Sequence, residues 1–349
     1  MASNCIGLDI GSSSVKLVQL KETRKGLILR NFGINPLLES PIADGAIINQ
    51  VAVLEAIEAL FSRLELKKKD VSLAISGRNV IVKKILMPIM NKTDLEEELA
   101  VEMVHHIPFD KDEVEVDYEV VVPSNSEGQM EVLLVASKKE IVEDYLDVVR
   151  EAGLNPVVLD VASFAVQNII ERTRGIDPNE SYVILNIGAS STSINVVING
   201  ITTFVRDIGI GGNSITGEIR RSMQITLDEA ETKKREAASG MSPDKELMKI
   251  VTEVCNVMAG EIQRSIDFFL STVNVKKGVK IIVTGGGALM NPLISSIENK
   301  SNMVVEKFDG FARGIIVDES KFDMPLLQAQ ASTASVALGL ALRKPGDWR

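Results

Sequence analysis

Hydrophobic and polar positions alternate in three short runs at the start of the chain, IGLDI, VKLVQLKET and GLILRNFGI, with a Gly-Ser turn and Lys25-Gly26 between them. A period of two marks strands that bury one face, so residues 4–35 predict a three-stranded meander. The period then lengthens. Val51, Leu54, Ile57, Leu60, Phe61 and Leu64 recur at helical spacing, which predicts a helix over 50–64, and the apolar run DVSLAISG supplies a buried strand after it. Residues 78–152 follow an order of their own: strand 79–87, helix 93–106, strands 114–122 and 130–137, helix 139–151. Thr93 and Glu96 have capping-box spacing for the first of these helices, residues 123–128 form a polar loop, and Gly153 stops the last helix.

The alternation then returns. PVVLDVASFAVQNII reads as a strand followed by a helix, and from Ser181 the runs YVILNIG, STSINVVING and TTFVRDIGIGG read as a second meander. Helical patterns cover 213–240 and 244–270, followed by strand 279–284, a triple-glycine turn, helix 291–299 and a final helix over 333–342. A theme of strand, hairpin and helices thus occurs twice with different insertions, which predicts an α/β protein whose ligand sits between two lobes. The expected division is a first lobe from 1–77 and 153–180, a small α+β subdomain inserted at 78–152, and a second lobe over 181–349.

The two meanders share a chemical feature at their first corner. One reads GLDIGSSSVKLVQL from Gly7 and the other LNIGASSTSINVVI from Leu185, each a hairpin whose Gly-hydroxyl tip exposes backbone N–H groups. Two such tips facing each other would grip one triphosphate. In the first, Asp9 and Lys16 flank Gly11, Ser12, Ser13 and Ser14, so that a carboxylate for magnesium-bound water and an ammonium for phosphate oxygens lean over the same turn. In the second, Asn186, Gly188, Ser190, Ser191 and Thr192 take the matching places. A third element, IIVTGGGALMNPL, runs a buried strand into Gly285, Gly286 and Gly287, where the backbone can approach a ligand closely, and then into a helix N-terminus.

Composition narrows the options. With 349 residues the chain accommodates two cores, and 45% apolar with 25% charged residues is the balance of a soluble globular protein. A net charge of −10 argues against a general nucleic-acid surface and against attraction to anionic lipid. No apolar run reaches the roughly 20 residues that span a bilayer, and the first residues lack the pattern of a secretory signal, so a cytoplasmic location is expected. Cys5 and Cys255 lie in separate apolar patterns and read as buried free thiols. His105 and His106 read as partly exposed helix-end residues, and with no Cys/His cluster a zinc site is not expected. Carboxylates, hydroxyls, lysines and backbone are left to carry the chemistry.

In this order and spacing the three glycine elements resemble the actin-like ATPase superfamily, with its ribonuclease H-like fold, in which two phosphate loops and an adenosine-side glycine loop enclose ATP or ADP between two lobes. The resemblance implies that Asp9 holds Mg2+ through water. Asp160, in LDVASFA, falls where relatives carry the Gln or Glu that orients the attacking water, and would position that water or hold metal through water. Asn186 falls where an aspartate usually helps hold the hydrated metal, so cation binding is weakened and fast hydrolysis is not implied. Gly211 and Gly212 resemble the second-lobe loop that approaches the phosphates. Glu231 and Lys234, three apart on one helix face, would touch ribose and adenine, with Gly285, Gly286, Gly287 and Met290 closing the purine side.

Longer phrases resemble one branch of that superfamily. LDIGSSSVKLVQL, the insertion at 78–152, AGLNPVVLDVASFA, GIGGNSITGEI with LDEAETKK, and ASVALGLALRKPGD are similar to the PilM family of type IV pilus assembly proteins, relatives of FtsA, over essentially the whole chain. The family implies a cytoplasmic ATP-binding scaffold of twitching motility with weak or no ATPase activity, held at the inner membrane through protein partners. The N-terminal cytoplasmic peptide of PilN would dock between the first lobe and the insert, and nucleotide-dependent lobe closure would regulate assembly contacts. Other pilus inner-membrane and motor components are implied as partners, with a homo-oligomer as a further option. The ending ALRKPGDWR is too short and polar for the membrane helix of FtsA, so direct membrane insertion is not expected. An FtsA-like filament or division scaffold is the alternative. A small-metabolite kinase on the same fold is disfavoured, because the insert has no convergent His, Asp and Arg set for a substrate pocket.

Overall fold

Two sheets follow one plan: an antiparallel meander first, then parallel strands reached through helices. The computed structural model describes residues 5–37, 41–175, 180–272 and 279–347. In chain order the elements are β1 (Ile6–Ile10), β2 (Ser14–Thr23), β3 (Gly26–Pro36), the short pair β4 (Ile42–Ala43) and β5 (Ala46–Ile47), α1 (Gln50–Arg63) and β6 (Asp70–Ile75). The insert contributes β7 (Val80–Pro88), α2 (Lys92–His106), β8 (Val114–Val122) and β9 (Gln129–Lys138), and the chain returns through α3 (Lys139–Glu151), β10 (Asn155–Val161) and α4 (Ala162–Arg174). The second half comprises β11 (Ser181–Ile187), β12 (Thr192–Ile198), β13 (Ile201–Ile208), α5 (Gly212–Met223), α6 (Leu227–Ala237), α7 (Lys245–Thr272), β14 (Lys280–Thr284), α8 (Asn291–Ser301), β15 (Val305–Lys307), β16 (Ile315–Ile316), α9 (Met324–Ala329) and α10 (Ser335–Leu340).

The first sheet has the order β10-β6-β1-β2-β3-β16, the second β13-β12-β11-β14-β15, and the insert forms its own sheet, β7-β9-β8. In both large sheets the first hairpin is antiparallel and the neighbouring inner strand parallel, β6 beside β1 and β14 beside β11. The same alternation that predicts the meanders therefore places both hairpin tips at the carboxyl ends of parallel strands, the usual ligand position of an open α/β sheet.

Four cores result. Ile6, Leu8 and Ile10 face α1 and α3 on the outer side of the first sheet. Val183, Leu185 and Ile187 face α5 to α8 on the outer side of the second. Between the sheets, α4 and α10 fill a shared layer with Tyr182, Ile184 and Ile282. In the insert, Leu95, Leu99 and Met103 of α2 cover Val132 and Leu134 of β9. Full burial of each such side chain contributes about 1.5–3 kcal/mol.

Four expectations change. The helix at the end of the 78–152 insert is α3, whose Ile141, Tyr145, Val148 and Val149 are buried in the first-lobe core rather than on the insert sheet. Its apolar stripe predicts burial but not the surface that supplies it. The helix of the insert is capped by Asn91, which accepts from Asp94 N at 3.1 Å, two residues ahead of the expected Thr93 box. The ending of the expected second lobe crosses back: β16 pairs with β3 in the first sheet, and α10 lies over β1 and β6. That crossing depends on missing side chains. A Cβ on Gly7 would stand 2.1 Å from Ala337 O, and one on Gly339 would stand 1.8 Å from Ala165 O. The helical pattern over 213–240 is also interrupted, by left-handed Gln224, before a capping box of Thr226 and Glu229 restarts it as α6. Among the described residues no helix is long and apolar enough to cross a membrane.

Candidate functional site

The first hairpin closes with Gly11 N donating to Ser14 O at 3.1 Å, and the second repeats it with Gly188 N donating to Ser191 O at 2.8 Å. The tips meet. Ser190 Oγ donates to Ser12 Oγ at 2.9 Å although the two residues are 178 positions apart. Strand register puts Asp9 opposite Lys16, and Lys16 Nζ lies 3.0 Å from Asp9 Oδ2 and 3.4 Å from Ser14 O. The pair is only 15% and 12% exposed, so it attracts more strongly than a surface pair while still facing the tip. Ser13 is exposed there and its carbonyl accepts from Leu37 N, fixing the far side of the turn.

In the second hairpin Asn186 stands opposite Ser193, so the row that holds a charge pair in the first lobe holds two neutral groups here. Thr192 departs from its expected place in an open cradle: it is fully buried and donates to Ile210 O at 2.7 Å. Gly211 and Gly212 lie against this turn, with Gly212 N donating to Gly188 O at 2.9 Å and Asn213 N to Ala189 O at 2.7 Å. A Cβ on Gly211 would stand 2.5 Å from Ala189 O, which is why a glycine stands just before α5.

Glu231 and Lys234 do form one group, and it has a third member that sequence reading missed. Lys234 Nζ lies 2.7 Å from Glu231 Oε1 and 2.9 Å from Thr216 Oγ1, and the Thr216 hydroxyl also donates to Glu231. Burial pushes the Glu231 carboxyl up, but Lys234 and Thr216 outweigh it and hold the group below the usual carboxylate range. Thr216 sits one helical turn after Gly212 on α5; that i, i+4 spacing from the glycine pair was the available signal.

The triple-glycine turn leans on the second hairpin. Gly285 has φ +81°, and a Cβ there would stand 2.7 Å from Asn186 Oδ1; one on Gly287 would overlap Ile187. Gly286 is exposed at the bend. Met290 differs from its expected purine-side place: it is 5% exposed and packed in the second-lobe core, whereas Leu289, three residues after Gly286 on a 3-10 turn, is the exposed apolar residue.

Asp160 differs most. Its carboxylate is buried and accepts from Arg343 at 2.7 Å through both Nε and a terminal guanidinium nitrogen. Burial pushes its pKa up, opposed by Arg343, so its contacts are those of a structural ion pair rather than of a water-facing base. Another carboxylate bridges the lobes: Asp207 of β13 faces Ser193 and accepts from Gly77 N, at the point where the chain leaves β6 for the insert. Burial raises the Asp207 pKa, against the Ser193 hydroxyl and the Gly77 amide. Cys5 and Cys255 are buried free thiols, pushed up to about 11 and about 12 by burial. Among the described residues no group of three or more His, Cys, Asp or Glu could hold a metal ion directly.

Paired hairpin sheets with inter-lobe helices and facing glycine tips define the actin-like ATPase fold, and comparison with solved structures agrees. MreB 5 of Spiroplasma citri bound to AMPPNP superposes with a TM-score of 0.53 at 15% identity over 98% of this chain and 96% of that one. The chain belongs to a particular family within that fold: the family model described as type IV pilus assembly protein PilM matches residues 7–345. A structure of the PilM-PilN type IV pilus biogenesis complex is similar over 98% of this chain and 99% of that one, with TM-score 0.86 and 28% identity. Cell division protein FtsA of Bacillus subtilis (strain 168) is 22% identical over 261 residues, 66% of this chain, and the match spans 57% of that protein's length.

Proposed function

We propose that this chain is a nucleotide-binding scaffold of type IV pilus assembly, recruited to the inner membrane by the cytoplasmic N-terminal segment of PilN and modulated by ATP or ADP with Mg2+ between its lobes. The single observation that carries the nucleotide part is the meeting of the two tips, Ser190 on Ser12, with Lys16 poised beside them. Family membership and the 28% identity to a chain solved as a PilM-PilN complex support the partner.

The residues fit a polyphosphate better than they fit a catalytic metal. N–H groups and hydroxyls at Ser12, Ser13, Ser14, Ser190 and Ser191 supply donors for phosphate oxygens, and Lys16 supplies the cation once its tie to Asp9 loosens. Asp9 is then released to hold Mg2+ through water, and Asn186 adds an amide oxygen without charge. When bound, the metal would neutralise phosphate charge. Lys234 and Glu231 would take the ribose and base side, Gly286 and Leu289 its other wall. Asp160, the residue expected to position the attacking water, is instead held by Arg343, which supports weak or absent hydrolysis.

Closure of the lobes on nucleotide would act on every contact that crosses them, Asp207 to Gly77 included. A nucleotide can shift that equilibrium only by its differential affinity for the two arrangements. Calorimetric titration with the cognate PilN N-terminal peptide, with and without magnesium and ATP, tests the proposal. Binding at micromolar or tighter affinity that changes with nucleotide is the expected result; absence of binding in both states would remove the recruitment part.

A further inference from the structure

Away from the hairpin tips, an open groove of about 900 Å³ runs between β7 of the insert and β13 of the second lobe, with residues of α7 in its lining. Each of the two strands is outermost in its sheet, β7 paired only with β9 and β13 only with β12. Such a strand offers a row of unpaired N–H and C=O groups to an extended chain.

The two edges carry the same short pattern. On β7, Ile81 and Lys83 are two residues apart and share a face of the strand; on β13, Phe204 and Arg206 do the same. Each edge thus sets one apolar and one cationic side chain next to each other. Arg78, where the chain enters the insert, adds a third cation, and Phe268 of α7 adds a ring that is 59% exposed. Arg78, Lys83 and Arg206 are exposed, and among the described residues none of them engages a carboxylate. The other charged groups of the lining are already tied, Lys84 to Glu131, Asp207 to Gly77 N and Glu261 to Arg264. In a chain of net charge −10 the groove is a local excess of positive charge.

We propose that this groove is a docking site for an extended acidic segment of a partner protein, one that carries carboxylates and β-branched or aromatic residues alternately along one face. The unpaired edges select an extended backbone, and opposite charges and apolar pairs are the favourable side-chain neighbours across adjacent strands. A simple anion would answer the cations but leave Ile81, Phe204 and Phe268 uncovered. The groove lies between the insert and the second lobe, whereas the PilN segment of the proposed function is expected between the insert and the first lobe. It is therefore a second partner site.

Fluorescence anisotropy of the full chain with a labelled peptide, VTETVTET, tests this, because its extended form puts Val and Glu on one face and Thr on the other. The expected result is saturable binding that weakens at least about tenfold for VTKTVTKT, which reverses the charge, and for VPEPVPEP, which keeps the charge but cannot join a ladder. Binding should also weaken between about 0.1 M and about 1 M salt, where the Debye length falls from about 10 Å to about 3 Å. R78E/K83E/R206E should lose VTETVTET and gain VTKTVTKT, a reversal that a misfolded chain does not give. If the triple variant misfolds, Arg206→Glu alone, with thermal unfolding as a folding control, should shift the preference in the same direction. Absence of saturable binding, equal binding of the three peptides, or binding retained by the variants overturns the proposal. So does displacement by inorganic tripolyphosphate as effective as that by unlabelled peptide, which marks a simple anion site. The PilN peptide reports separately on recruitment: R78E/K83E/R206E should bind it as the unaltered chain does, and its competition with VTETVTET would overturn the second site.

Discussion

The two hairpins share a backbone and differ in charge. Gly11 and Gly188 close their turns through the same N–H to carbonyl bond, and Ser12 and Ser190 touch. Yet in the first sheet Asp9 is answered by Lys16 and Asp160 by Arg343, while the second sheet has Asn186 and Ser193 in the equivalent row and an Asp207 answered by the Gly77 amide. A duplicated backbone cradle is thus retained where the electrostatics have diverged. On the proposed reading, two tips of the same shape would grip the phosphates while only the first carries a charge pair beside them.

The comparison can be broken most strongly at Arg343. Arg343→Ala strands the buried Asp160 carboxylate and is expected to destabilise the protein by about 3 kcal/mol in denaturant unfolding, with nucleotide affinity otherwise kept. A loss of nucleotide binding without loss of stability would return Asp160 to the site. Lys16→Met should weaken ATP binding roughly 100-fold, about 2.7 kcal/mol, in calorimetry, whereas Ser193→Ala in the equivalent place should change it less than about threefold. Equal effects would mean that both hairpins contribute charge. Asn186→Asp restores a carboxylate to the second tip and should raise magnesium-dependent phosphate release about tenfold. An unchanged rate would show that another group limits hydrolysis. The contact between the tips is a neutral, half-buried hydrogen bond, so a double-mutant cycle on Ser12→Ala and Ser190→Ala should give a coupling below about 1 kcal/mol.

The smallest effect is expected at Asp207. Its folded pKa is raised above the unfolded value, so it favours the fold below the ordinary carboxylate range near pH 4 and costs stability as pH rises through the shifted value. Asp207→Asn removes that titration, and the decline of stability from about pH 4 towards neutrality should flatten, with a midpoint change of no more than about 2 °C at pH 7. A variant that unfolds far earlier at neutral pH would show the charge itself to be needed for the bridge to Gly77.

What was legible in the sequence followed from local rules. Alternation and a Gly-hydroxyl corner mark both meanders, because a period of two and a turn residue are properties of neighbouring positions. Glu231 and Lys234 meet for the same reason, three apart on α6. Partners contributed from afar were not legible. Arg343 reaches Asp160 across 183 positions, and the stripe on α3 says that the helix is buried without saying that β1 and β6 do the burying. Met290 and Thr192 look available in a motif and prove to be core, since a glycine turn constrains its backbone more than the direction of its side chains.

The return of β16 and α10 to the first sheet bears on how the polypeptide is made. Residues 5–37 and 70–75 leave the ribosome early, but the strand that finishes their sheet and the helix that covers Gly7 are translated more than two hundred residues later. The inner face of the first lobe, which α4 covers early, waits for α10 through the whole synthesis of the second. The first lobe is therefore not finished before the second has been made, and protection of nascent apolar surface has to last until α10 arrives.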